Sequence, residues 1–478
     1  MAQVDTSVPV RALTVAGEPL TTDETRVVHS PWDGAAIAAV PVVGAAETRR
    51  AVDAAAAAMR NPLPAYERAE ILERASATVR DRREELARLL SHEIGKPLKA
   101  ALVEVDRCVE TLAFSAVEAR TLAGRGIPLD AHPAGTGRRG YTIRVPIGVV
   151  AAITPFNFPL NLAAHKIGPA VAAGCGAVLK PASVAPLAAI ELVALLHDAG
   201  LPRELLSVVT GPAGEIGDVF VDDERVRMIT FTGSAEVGWA LAGRAPKKHV
   251  SLELGNSTPL IVCGDADLDA AAEAAAMSGN GFAGQSCISA QRVLVEQSIH
   301  DAFAERLTAA VERLKVGDPN EADTDVGPLI DDDARRRVEE WIDEAADSGA
   351  ERLAGGTFDG DHLRPTVLDG VATDVRAWER EIFGPVLGLR TFDSLDEAIE
   401  LANDTAYGLQ AGIFTHNLTA AITASERLEF GGVTINEAPT FRVDQMPYGG
   451  TKESGNTREG PHYTVREMTE ERMVVIKL

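Results

Sequence analysis

A chain of 478 residues has material for two or three domains and a sizeable core, so it needs no disulfide or metal staple. Its formal net charge of -24 opposes phosphate backbones and anionic lipid surfaces, and no local basic patch offsets it, so neither nucleic acid nor membrane is an expected partner. The four cysteines, Cys108, Cys175, Cys263 and Cys287, are widely spaced, with no CxxC pair and no His/Cys cluster at zinc-ligand spacing; free thiols, a reducing cytoplasm and no metal are expected.

The opening "MAQVDTSVPVRAL" has no basic segment followed by an apolar one, and no stretch sustains the apolar length of a bilayer span, which points to a cytoplasmic protein. After a short β-like opening, "AAETRRAVDAAAAAM" and "YERAEILERASATVRDRREELARLL" carry apolar residues at helical spacing, the second read as one long helix. Gly95 and Pro97 punctuate before a helix from about Ala100 to Leu122. Residues 125–141 are rich in Gly and Pro, show neither period, and read as an excursion that pairs with another subunit.

From "IGVVAAI" onward, β-branched runs alternate with helical patterns, the signature of parallel βαβ units, whose ligands bind at the carboxyl ends of the strands. A second α/β series begins near "PLIVC". Within it "GDADLDAA" resembles a calcium loop, but Ala270 and Ala276 occupy the required glycine and glutamate positions, so it reads as an acidic helix start. The tail "MVVIKL" is an edge strand in need of a partner.

Three stretches carry chemistry. In "GQSCISAQ", Cys287 is surrounded by Gly281, Gly284, Ser286 and Ser289, small residues that let a ligand approach the backbone; a buried apolar cysteine is the alternative. Glu253, in "LELGNSTP", ends a β-like run between Leu252 and Leu254, which in a strand point opposite to it, so its carboxylate faces a cleft as a base unless it is an ordinary surface group. Asn157, in "ITPFNFPLN", lies between Pro155 and Pro159, which brace it as an oxyanion donor or as a simple turn residue.

In order and spacing, "ITPFNFPL", "VLKPAS", "FTGSAEVG", "LELGNSTP", "GQSCISAQ", "EIFGPVL" and "MPYGGTKESGNTREG" resemble the aldehyde dehydrogenase superfamily along almost the whole chain. That resemblance implies an α/β fold with a Rossmann-like dinucleotide-binding domain (1–123 and 144–253), a catalytic domain (254–445), and a small β oligomerisation arm with the C-terminal tail (124–143 and 446–478), assembled as a homodimer or homotetramer. It also implies that Cys287 attacks an aldehyde to give a thiohemiacetal, that Asn157 and the Cys287 N–H hold the oxyanion, and that Glu253 activates the water that hydrolyses the thioester.

For the cofactor, NADP or NAD, the resemblance assigns Lys180 to the adenosine ribose, Ser234 to the pyrophosphate, and Glu381 with Phe383 to the nicotinamide riboside. Thr154, Pro155, Phe156, Thr232, Gly233 and Leu254 join them, as do Gly211, Gly214 and Gly217, which do not form the usual glycine fingerprint. Ser183 stands where NAD-preferring relatives often carry a glutamate that repels a 2′-phosphate, which permits NADP. Asn256 replaces a usual glycine and leaves the loop path open, and Phe156 replaces a common tryptophan.

"CISAQ" and "APTFRVDQMPYGG" resemble the branch of lactaldehyde and phosphonate-aldehyde dehydrogenases, placing Phe158, Ser286 and Ser289 near a small aldehyde substrate. Arg442 and Arg107 are candidates for binding a hydroxylated or anionic tail, or are structural partners of Asp444 or Asp106. Semialdehyde oxidation and CoA acylation remain alternatives; Glu253 opposes the latter.

Overall fold

The computed structural model describes residues 8–360 and 362–478. A five-stranded parallel sheet runs His249–Glu253, Val226–Thr232, Val149–Ile153, Ala177–Lys180, Leu206–Val208. Its central strands Val149–Ile153 and Ala177–Lys180 are buried without alternation because helices cover both faces. The sheet grows one way from Val149–Ile153 and then the other, so a crevice opens beyond the carboxyl ends of Val149–Ile153 and Val226–Thr232. "ITPFNFPL" and "FTGSAEVG" begin at those two ends.

A seven-stranded sheet follows, in the order Glu351–Ala354, Thr366–Asp369, Val386–Phe392, Ala290–Glu296, Thr258–Val262, Gln410–Phe414, Gly432–Ile435, with only the first strand antiparallel. Pro259 lies in an inner strand, where it has no N–H to donate, and the register shift at Thr258/Pro259 accommodates it. The acidic helix start is as expected: Asp267 Oδ1 accepts from Ala270 N at 3.1 Å and caps Leu268–Asn280.

The excursion forms a separate three-stranded sheet in which Thr469–Lys477 pairs antiparallel with Arg138–Pro146, and Gly126–Ile127 completes it. The tail therefore finds its partner within the chain, while its other edge stays unpaired and Tyr141, Ile143, Met473, Val475 and Ile476 are exposed. Residues 446–468 do not join this arm. Ser454 O accepts from Leu254 N at 3.0 Å, and Pro461–Glu467 packs on Leu98–Thr121 and Asn161–Ala173.

The long amphipathic pattern is two helices, Ala65–Asp81 and Arg83–Ile94, not one. Arg82 leaves helical geometry (φ −100°, ψ 22°) and its guanidinium reaches Glu191 at 2.6 Å. The break lets Leu72, Ala75 and Val79 bury on one line and Leu86, Leu90 and Ile94 on another. Among the described residues no helix is long and apolar enough to cross a membrane.

Gly455 has φ +133°, and a Cβ there would lie 2.1 Å from Leu252 O, beside Glu253. Gly455→Ala is expected to destabilise the protein by about 1–3 kcal/mol. Gly243→Ala, in a helix with open space at its Cβ, is expected to be neutral or stabilising. Denaturant midpoints of the two variants check this.

Candidate active site

The loop bearing Asn157 is fixed from below. Glu104 Oε1 accepts from the N–H groups of Leu160 and Asn161, at 3.0 and 3.2 Å, where the fully buried helix Asn161–Ala173 starts. Its other oxygen pairs with the buried Lys96 ammonium, which lies 3.6 Å from the Phe158 ring centroid and 4.7 Å from that of Phe282. One desolvated cation thus joins the Asn157 loop to the Cys287 loop. Asn157 Nδ2 donates to Gln285 O at 3.0 Å; its second N–H has no acceptor among the described residues.

Before Cys287 the backbone turns through three consecutive left-handed residues, Phe282, Ala283 and Gly284, with φ of 51°, 53° and 67°. The first two are conformations that side chains disfavour, and they persist because surrounding contacts fix them. A Cβ on Gly284 would lie 2.1 Å from Gly384 O, so the position admits only glycine. Gln285 pins the turn, donating from Nε2 to Phe282 O and Pro328 O, both at 3.2 Å, and accepting from Ile330 N at 2.9 Å.

Cys287, Glu253, Phe158, Ser286, Arg107 and Arg442 all border one cavity of about 530 Å³. The Cys287 sulfur lies 2.9 Å from Tyr448 Oη. Burial pushes the thiol up to about 12, against the opposing effects of the Tyr448 hydrogen bond and the Arg442 charge. Both Glu253 carboxylate oxygens are buried without a hydrogen-bond partner among the described residues. Burial, and then the nearby Glu459 charge, hold that carboxyl well above its ordinary range. Glu459 is buried too, but His165, Arg442 and Lys166 outweigh the burial and hold it down at about 2. Two carboxyls under one cavity are thus poised oppositely: Glu459 as a fixed anion, Glu253 as a group that exchanges a proton.

The crevice beside this cavity has the polar character that a dinucleotide requires. Lys180 is buried with no carboxylate partner among the described residues, its ammonium reaching only Pro181 O at 3.4 Å. The hydroxyls of Thr154 and Thr232 are buried and have no partner among the described residues. Ser234 precedes the helix Ala235–Arg244 without capping it, which leaves the first N–H groups open. Gly211 must be glycine, because a Cβ there would lie 2.0 Å from Val43 O; Gly214 and Gly217 face open space. Gly233 packs on Phe231, and Leu254 on Gly238. Ser183 borders a separate cavity of about 760 Å³ that it shares with Arg26, Trp32 and Pro328.

Glu381 Oε1 accepts from Asn256 N at 3.2 Å, and burial pushes its carboxyl up to about 7 despite that bond. Phe383 is left-handed (φ 48°) and meets Phe156 edge-on, with ring centroids 5.8 Å apart, so the change from tryptophan preserves an aromatic contact near Pro155. Asn256 needs no unusual backbone angle. Its side chain bonds Thr258 Oγ1, Gln410 O and Leu409 N at 2.8, 3.0 and 3.2 Å, fixing the loop to the seven-stranded sheet.

The substrate candidates divide. Ser289 does not border the cavity: its hydroxyl donates to Ser278 O at 2.8 Å. Arg442 is 6% exposed and pairs with Glu459 at 2.7 Å, so its partner is neither Asp444 nor Asp106. Arg107 pairs with Asp444 at 2.8 Å but remains 21% exposed; Asp106 is taken by Arg83. Reading by motif missed the roles of Tyr448, Gln285, Lys96, His165, Lys166 and Glu459, although Gln285 lies in "GQSCISAQ" and Tyr448 and Glu459 in "MPYGGTKESGNTREG"; Tyr448 reaches Cys287 across 161 residues of chain.

Comparison with known proteins identifies relatives along almost the whole chain. The profile described as "Aldehyde dehydrogenase family" matches residues 20–474. A 3-sulfolactaldehyde dehydrogenase from Priestia aryabhattai is 44% identical over 473 residues, 99% of each chain. A lactaldehyde dehydrogenase from Methanococcus aeolicus is 38% identical over 457 residues, 94% of this chain and 96% of its own. The crystal structure of an E. coli NADP dependent enzyme superposes with a TM-score of 0.95 at 38% identity, covering 99% of this chain and 100% of that one.

Because Glu459 neutralises the buried Arg442 and Lys166, Glu459→Gln is expected to cost about 3–5 kcal/mol of stability. Asp269→Asn, which breaks an exposed pair with Arg306, is expected to change little. Equilibrium urea unfolding distinguishes the two.

Proposed function

Since the chain belongs to the aldehyde dehydrogenase family, we propose that it oxidises a short aldehyde with a hydroxylated or anionic tail to the carboxylic acid, using NADP or NAD. The observation that carries this reading is the meeting, in one cavity, of a thiol and a buried carboxyl that has no hydrogen-bond partner. Lys180, Ser234, Thr154, Thr232 and Glu381 hold the dinucleotide, which supplies the hydride acceptor. Ser183 brings no negative charge against a 2′-phosphate, and the similar E. coli structure is named as NADP dependent.

On the protein side, the Cys287 thiolate adds to the carbonyl carbon, and its electron pair becomes the new C–S bond while the carbonyl electrons move to oxygen. The free N–H of Asn157 and the Cys287 N–H stabilise that oxyanion. After oxidation, the acyl group is a thioester on sulfur. Glu253 takes a proton from the attacking water, and the C–S bond breaks to release the acid. In this reading the five-stranded sheet serves the cofactor, the seven-stranded sheet carries Cys287, and the unpaired edge of Thr469–Lys477 joins copies into a homodimer or homotetramer in the cytoplasm.

Both reacting groups work deprotonated and both are shifted upward, so turnover is expected to rise as pH increases above neutral. Glu253→Gln should release a stoichiometric burst of reduced cofactor and then stall as the acyl-enzyme, visible in the intact mass of the protein; continued steady turnover argues against Glu253 as the base.

Arg107 is the more exposed of the two arginines on the cavity wall, and a relative at 44% identity is named for a sulfonated aldehyde. In a panel of propanal, lactaldehyde and sulfonate-, phosphonate- and carboxylate-bearing aldehydes run with NAD and NADP, NADP should serve at least as well as NAD. Arg107→Met should raise KM for the anionic members about tenfold or more while leaving propanal nearly unchanged. Equal effects on all substrates exclude Arg107 from tail recognition.

A further inference from the structure

Tyr448 is 4% exposed, and its hydroxyl has one partner among the described residues, the Cys287 sulfur at 2.9 Å. The guanidinium carbon of Arg442 lies 3.7 Å from the Tyr448 ring centroid and is held by Glu459 at 2.7 Å. A structural thiol needs no such apparatus. Cys175, for example, simply donates to Met468 O at 3.3 Å.

We propose that Tyr448 is a positioning residue that donates its O–H to the ionised Cys287 sulfur, and that the Arg442 cation on its ring strengthens it as a donor. The inference rests on Cys287 being the nucleophile. Cation stacked on a phenol face draws density from the ring and makes its O–H a better donor. Burial, and then the adjacent Cys287, raise the Tyr448 phenol well above its ordinary value, so the shared hydrogen stays on oxygen when the sulfur ionises. No proton passes from Tyr448 to sulfur. The groups facing the thiol are few and mixed: Tyr448 and Arg442 favour the thiolate, while burial, Glu381 and Glu253 oppose it. Tyr448 also fixes the direction of the sulfur, whose loop is already held by Gln285 and by Asn157.

The test is the pH dependence of Cys287 alkylation by iodoacetamide in the full-length protein, read by peptide mass mapping. Tyr448→Phe keeps the ring on Arg442 and removes only the hydroxyl. The alkylation midpoint is expected to rise by about one pH unit, with about a tenfold slower reaction at neutral pH and a parallel fall in kcat/KM at little change in aldehyde KM. Replacing the five tyrosines with 3-fluorotyrosine makes the donor more acidic and is expected to lower the midpoint, a sign reversal that a merely structural residue does not produce. An unmoved midpoint in both proteins, or a lowered one in Tyr448→Phe, overturns the proposal. Cys287→Ser separates the two readings: if it retains turnover, the nucleophile assignment fails; if it is dead while Tyr448→Phe titrates like wild type, only the role of Tyr448 fails.

Discussion

Beneath the cavity, a set of ionised side chains leaves water together, and the site depends on how they neutralise one another. Glu459 balances Arg442 and Lys166, and Asp444 balances Arg107, over separations of 2.7 to 3.7 Å, while the neutral His165 ring bonds Asp444 at 2.8 Å. Removing such charges from water is costly, and only near-complete pairing makes it tolerable. The network leaves one carboxyl out. Glu253 has no ion pair or hydrogen bond among the described residues, so Arg442, Lys166 and Arg458 offset its burial and the Glu459 charge only in part, and its proton is held. The same cluster that stabilises the fold therefore sets the chemistry of its odd member.

The two reacting loops depend on this cluster and on a second buried pair. Lys96 and Glu104 link the start of the Asn161–Ala173 helix to the Phe158 and Phe282 rings, so the loops bearing Asn157 and Cys287 cannot shift independently. The strained turn at Phe282 and Ala283 needs such support, since isolated left-handed residues of that kind would relax. Preorganisation here is a property of two loops held against each other across 128 residues of sequence.

The arrangement also clarifies the arginines. Arg442 lies deep, committed to Glu459 and stacked on Tyr448, where its charge favours the ionised Cys287 sulfur. Arg107 lies farther out, paired with Asp444 and partly open to the cavity. Two residues equivalent by type differ in environment, because burial fixes one and leaves the other accessible.

Much was legible in the sequence. Alternation of β-branched runs with helical patterns gave the parallel sheets, since sheets buried on both faces require continuous apolar strands, and the motifs picked out Cys287, Glu253 and Asn157, which the fold gathers around one cavity and the loop beside it. Local pattern failed where the reason was not local. The break at Arg82 answers to Glu191 and to two separate packing directions, and Asn256 serves the seven-stranded sheet through Gln410 and Leu409 rather than an unusual turn. Ser289 keeps its hydroxyl for Ser278. The sequence by itself determined which groups can react, because nucleophilicity and basicity belong to residue types. Only the tertiary structure decided how each is tuned, because desolvation and charge pairing are set by neighbours that chain order keeps far apart.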